Sequence, residues 1–159
     1  MRKILTILEW ISSRCGFAML LIMSIVIGLQ VFMRYVLNNS LTWPEEMTRY
    51  CYLWCSMFAI VIAEQQNVHL KIDVIREFSS ANIKKILDTF SSIAVILFYT
   101  IFTFLGFKMT LLVNDMEQYA ISFDLPIVYV WTAFPLLGAA ALAFSCANFG
   151  KLLSKQANS

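Results

Sequence analysis

Four long stretches of this 159-residue sequence carry no charged residue, and they constrain the fold more than any other feature. They cover residues 15–33, 50–63, 89–107 and 125–150, and 60% of the whole chain is hydrophobic. A helix needs about 20 mostly apolar residues to cross a bilayer. We therefore predict an all-α integral membrane protein forming a single domain over residues 1–159, with four transmembrane helices at about 14–36, 43–65, 87–112 and 125–150.

Lysine and arginine are unevenly distributed around these runs. Nine of the 12 lie in the N-terminal arm, the 64–88 segment and the C-terminal tail, and the other three are Arg34, Arg49 and Lys108. Because loops rich in basic residues stay in the cytoplasm, both termini are predicted to be cytoplasmic. The first apolar run is too long for a typical signal peptide, so we expect a retained helix.

Amphipathic segments flank the predicted spans. Residues 4–11 have an apolar helical stripe, typical of either an interfacial arm or an extension of the first span. Residues 64–73 alternate in polarity, which predicts an extended or irregular surface segment, and we expect an interfacial helix that bends into the membrane from about residue 75. Residues 116–123 indicate a short amphipathic turn outside, and the small residues at 138–147 indicate a face that another helix can approach closely.

A cluster of charged and aromatic residues joins the first two spans. Its members are Arg34, Trp43, Glu45, Glu46 and Arg49. The sequence Thr42-Trp43-Pro44-Glu45 predicts a helix start with a capping box. Arg49 stands at i,i+4 from Glu45 and i,i+3 from Glu46, so it can pair with either carboxylate. The alternative is that these residues are ordinary interfacial flanks of two membrane helices.

The chemistry that the sequence lacks is equally informative. No charged residue or histidine lies near the middle of a predicted span, where transporters usually bind ions or charged substrates. We therefore expect that the chain forms no translocation site alone, is not an enzyme, binds no cofactor or metal, and has no basic tract for nucleic acid. The four cysteines are predicted to be small buried hydrophobes, and His69, with Asp73, a cytoplasmic-side packing or partner contact.

The residues from Gln30 to Arg49, read as Q-V-F-x-R-Y-V-x-N-x-S-L-x-W-x-E-E-x-x-R, carry a resemblance to a known family, together with His69-Leu70-Lys71-Ile72-Asp73. They resemble the small membrane subunit, DctQ-like, of tripartite ATP-independent periplasmic (TRAP) transporters. Size and predicted topology agree with that family over nearly the whole chain. The second motif departs from it, because Glu64-Gln65-Gln66-Asn67-Val68 stands where members often have an arginine and a glycine.

The resemblance implies a multi-pass protein of the bacterial inner membrane that contacts lipids and a large multi-span subunit. That subunit holds the substrate and sodium sites, while a periplasmic binding protein delivers an organic acid, such as a dicarboxylate or sialic acid. The small subunit would act as a scaffold. Two alternatives are a self-sufficient four-helix exporter, whose usual glutamate in the first span is absent here, and a membrane thiol/quinone redox protein, which needs paired cysteines exposed outside.

Overall fold

The computed structural model describes residues 2–66, 81–122 and 124–157, and these ranges are helical apart from their connections. Helix α1 is Arg2–Tyr35, α2 is Trp43–Gln65, α3 is Ala81–Asp115, α4 is Val128–Trp131 and α5 is Ala133–Ala157. The prediction of an all-α fold is confirmed. The N-terminal arm is an extension of α1, because the helix runs unbroken from Arg2.

Three helical segments in the described part of the chain are long and apolar enough to cross a membrane. They are Thr6–Tyr35, Ile83–Asp115 and Val128–Ser154, which agree with three of the four predicted spans. Helix α2 does not meet the same standard, because its apolar run is short and acidic residues lie near both ends. That α2 crosses the membrane stays a prediction, as does the orientation of the termini.

The helices form an open row. Helix α2 packs between α1 and α5, and α3 packs on the other side of α5. The core therefore lies in the middle of the row, with Met57, Phe58 and Val61 of α2 against Leu137 and Phe144 of α5. Most large apolar side chains of α1 and α3 are exposed, as expected for helices that face lipid or another protein.

The α3–α5 contact depends on glycine. A Cβ atom at Gly106 would lie 2.8 Å from Cβ of Phe134, and one at Gly138 would lie 2.8 Å from Oγ1 of Thr103. Ala140 and Ala141 are buried in the same helix. The predicted small-residue face of the last helix is thus confirmed, since it allows close helix approach.

Pro135 interrupts the last span near its beginning. Proline has no N–H, so the carbonyl of Trp131, four residues earlier, lacks its helical donor. The Thr110 hydroxyl of α3 lies 3.1 Å from this carbonyl, and also 2.8 Å from the carbonyl of Gly106. The break between α4 and α5 is thereby stabilised by a side chain from the neighbouring helix.

Candidate functional site

The predicted charged cluster lies where α1 ends and α2 begins, but its arginines do not hold it together. Among the residues that the structure describes, neither Arg34 nor Arg49 forms an ion pair with Glu45 or Glu46. Both arginine side chains are exposed, and Arg34 lies over the ring of Tyr35, 5.8 Å from its centroid. The pairing that the spacing of Arg49 allows is therefore not formed here, since exposed guanidinium groups gain little from fixing their geometry.

Helix α2 begins at the predicted residue, but it lacks the predicted capping hydrogen bonds. Trp43 is the first helical residue and Pro44 occupies the first turn, where its missing N–H costs nothing. Thr42 has helical backbone angles and makes no capping hydrogen bond through its side chain, so the predicted capping box is absent. Glu45 instead accepts a hydrogen bond from Nε2 of Gln30, at 3.2 Å, and so joins α2 to α1.

Glu46 binds a distant segment of the chain. Its carboxylate accepts hydrogen bonds from the backbone N–H groups of Ile121, at 3.0 Å, and Ser122, at 2.7 Å. The hydroxyl of Tyr50 donates a third, at 2.6 Å. Three donors from two parts of the chain therefore converge on this carboxylate in the first turn of α2.

The segment that Glu46 binds lies between α3 and α4, and its described residues are 116–122 and 124–127. We name it the outer turn after the orientation predicted from the sequence. Two backbone hydrogen bonds join its two arms, each 2.9 Å long. The N–H of Ala120 donates to the carbonyl of Leu125, and the N–H of Ile127 donates to the carbonyl of Gln118. Glu117 has a positive φ of 49°, which ends the helical path. In the predicted amphipathic turn, Met116 and Tyr119 are exposed while Ala120 is buried.

A second glutamate, Glu64, lies at the other end of α2 and is only 2% exposed. Its backbone carbonyl accepts a hydrogen bond from Nδ2 of Asn148 on α5, at 2.9 Å. Its carboxylate lies near the Tyr99 side chain of α3. The sequence places Glu64 both in the predicted 43–65 span and at the start of the 64–73 segment, so it does not predict the burial of this side chain. The one signal is the place of Glu64 directly after an apolar run.

Glu46 and Glu64 lie on the same side of α2. They are 18 residues apart, which is five helical turns and about 27 Å. Met57 and Val61, also buried, lie between them and pack against α5. We name this face the α2 seam: it is apolar along its middle, and at each end a glutamate binds the second half of the chain.

The four cysteines differ in their burial. Cys51 is buried and Cys15 and Cys55 are half-buried, in line with the prediction, whereas Cys146 is exposed. The Sγ atom of Cys55 lies 3.7 Å from the carbonyl oxygen of Gly16, so it packs against α1. His69 and Asp73 lie outside the described residues. Of the predicted cluster, Glu45 and Glu46 therefore form hydrogen bonds to other parts of the chain.

Comparison with known proteins is consistent with this architecture. The family model for the DctQ component of tripartite ATP-independent periplasmic transporters matches residues 23–155. The chain is 33% identical over 58 residues to a putative TRAP transporter small permease protein of Haemophilus influenzae, covering 36% of each protein. It is also 28% identical over 99 residues to the sialic acid TRAP transporter permease protein SiaT of Haemophilus influenzae, covering 62% of this chain and 15% of that protein. The chain thus spans well under half the length of each relative it matches.

Proposed function

We propose that this chain, which belongs to the DctQ component family of tripartite ATP-independent periplasmic transporters, is the small scaffold subunit of a secondary transporter. In this role it borders the transport route without lining it. The α2 seam carries the proposal: its middle is filled by Met57, Val61 and Phe144, and its buried glutamate is at one end. A site for a charged solute would need polar groups in that middle.

The open row of helices supports the same role. Helices α1 and α3 expose wide apolar surfaces that lipid alone or a second membrane protein can cover. We propose that a large multi-span subunit covers part of them and carries the substrate and sodium sites. A periplasmic binding protein would then deliver an organic acid, of which sialic acid, named for one relative, is the leading candidate.

We further propose that α2 is the fourth span, that the protein is multi-pass in the bacterial inner membrane, and that both termini are cytoplasmic. Helix α2 has 23 residues, or about 34 Å, which is sufficient for a bilayer core of about 30 Å. It packs along α1 and α5, both of which contain apolar membrane-spanning segments. The excess of lysine and arginine in the arm, the 64–88 segment and the tail supports the orientation.

The test is to purify this chain from its native membrane and identify what accompanies it. We expect a large polytopic protein. With the binding protein and the organic acid supplied outside, we expect uptake by proteoliposomes only when both membrane subunits are present. The control is proteoliposomes containing this chain alone, which should show no solute movement. Solute transport by this chain alone would refute the scaffold role and favour the exporter.

A further inference from the structure

A shallow groove runs along the side of α1 that faces away from α2. The other side of this helix contacts the rest of the protein, since Leu8 and Cys15 pack against the core and Gly16 lies against Phe58. Residues three and four apart share one side of a helix, and those that line the groove follow this spacing. They are Thr6, Glu9, Trp10, Ser13, Arg14 and Phe17. Within the described part of the chain the lining comes from α1 alone, so the groove is open to the surroundings of the protein.

Two opposite charges share this groove. Glu9 and Arg14 lie five residues apart, a rise of about 7.5 Å along the helix. Neither forms an ion pair with any residue that the structure describes. The Arg14 guanidinium lies over the ring of Trp10 instead, 5.8 Å from its centroid. A ligand that carries one negative and one positive group complements this pair of charges.

The order of these residues along α1 matches the order of groups in a phospholipid. The charge-free run of the first span begins at Cys15. Phe17 therefore lies within the apolar part, Arg14 lies at its boundary, and Glu9 lies about 7.5 Å beyond the boundary. In phosphatidylethanolamine the acyl chains, the phosphate and the ammonium group follow in the same direction, from the bilayer core to water. Trp10 lies between the two charges, at the level where indole rings are enriched in membrane proteins.

We propose that this groove is a phospholipid site that selects an ethanolamine headgroup. The Arg14 guanidinium binds the phosphate, and Phe17 contacts an acyl chain. Glu9 accepts hydrogen bonds from the primary ammonium group, as a carboxylate does from a charged donor. A choline headgroup has no N–H to donate and a glycerol headgroup has no positive charge, so Glu9 sets the selectivity. The inference goes beyond the scaffold role and does not depend on it.

The experiment measures lipid binding to the purified full-length chain by native mass spectrometry. The probes are phosphatidylethanolamine, phosphatidylcholine and phosphatidylglycerol with the same acyl chains. Glu9→Gln and Arg14→Gln each remove one charge of the groove and keep a side chain that favours a helix. Lys151→Gln is the matched control, because Lys151 is an exposed charge on α5 and does not line the groove.

We expect the wild type to bind phosphatidylethanolamine with a Kd about fivefold lower than the other two lipids, since one ion pair at an exposed site accounts for that factor. Glu9→Gln should remove the preference over phosphatidylcholine. Arg14→Gln should raise the Kd for all three lipids, because all three carry the phosphate, and Lys151→Gln should change neither property.

Two results would overturn the inference. The first is equal binding of the three lipids by the wild type, or a preference for ethanolamine that survives Glu9→Gln. The second is loss of a polytopic protein that copurifies with the wild type from native membranes when Glu9 or Arg14 is replaced, because that result would place this side of α1 against a protein rather than a lipid.

Discussion

A methyl group added at Gly106 should destabilise the protein, although replacing glycine by alanine within a helix usually stabilises it by about 0.5–1 kcal/mol. The new Cβ would lie 2.8 Å from Cβ of Phe134, and 3.3 Å from both the backbone carbon of Phe134 and the nitrogen of Pro135. These atoms cannot move by side-chain rotation, so α3 and α5 must separate. Overpacking of this kind costs about 1–3 kcal/mol. After the gain in helix propensity, we expect a net loss of about 1–2 kcal/mol in unfolding free energy.

Two other glycines make the prediction sharper. Gly28→Ala is the matched control, because nothing lies within 4 Å of its added Cβ. Gly138→Ala should be intermediate, since its closest obstacle is Oγ1 of Thr103, at 2.8 Å, on a side chain that can rotate. Adding Thr103→Ala should recover part of that loss. The measurement is thermal unfolding of the purified variants in one detergent. If Gly106→Ala is as stable as Gly28→Ala, the close approach of the two helices is not as described.

Three further predictions concern α2. Glu64→Gln should change the unfolding free energy by less than about 1 kcal/mol, because glutamine fills the same buried volume. Glu64→Ala should cost about 2–4 kcal/mol, because it leaves a cavity at a side chain that is only 2% exposed. Equal thermal stability of the two variants would contradict this. Glu46→Ala should lower the melting temperature, because it removes the acceptor for the Tyr50 hydroxyl and for the backbone N–H groups of Ile121 and Ser122. Glu46→Gln keeps one acceptor oxygen and should lose less, and a melting temperature of Glu46→Ala equal to that of wild type would refute the assignment. Arg49→Ala should lower the unfolding free energy by less than about 0.5 kcal/mol, because the exposed guanidinium pairs with neither glutamate. A loss of several kcal/mol would show that Arg49 does form an ion pair.

The fold was predictable because membrane-spanning helices depend mainly on local composition. The apolar runs that become α1, α3 and the last span are long enough to be identified without any tertiary information. The break before Ala133 was also signalled, by Pro135. The partner of the Trp131 carbonyl was not, because Thr110 belongs to another helix and its spacing from Trp131 follows no sequence rule.

The contacts of Glu46 were unpredictable for a related reason. We expected its partner to be Arg49, a charged side chain one helical turn away. Its actual donors include backbone amides 75 and 76 residues later in the sequence. Every non-proline residue carries such an N–H, so no side-chain pattern distinguishes the two that are used. Only the connection between α3 and α4, set by tertiary packing, brings them to Glu46.

With α2 as the fourth span proposed above, the position of two glutamates at the ends of the α2 seam has a physical explanation in the membrane environment. Between lipid-facing helices the hydrophobic effect gives little preference for one apolar contact over another, because lipid tails are as apolar as leucine. Met57 and Val61 alone would therefore tolerate a slip of α2 along α5. A slip of one turn, about 5.4 Å, would remove Glu46 from the amides of the outer turn and Glu64 from Tyr99. The two ends thus fix the register of α2, and because α2 joins α1 to the rest of the row, they fix the relative position of the two halves of the chain.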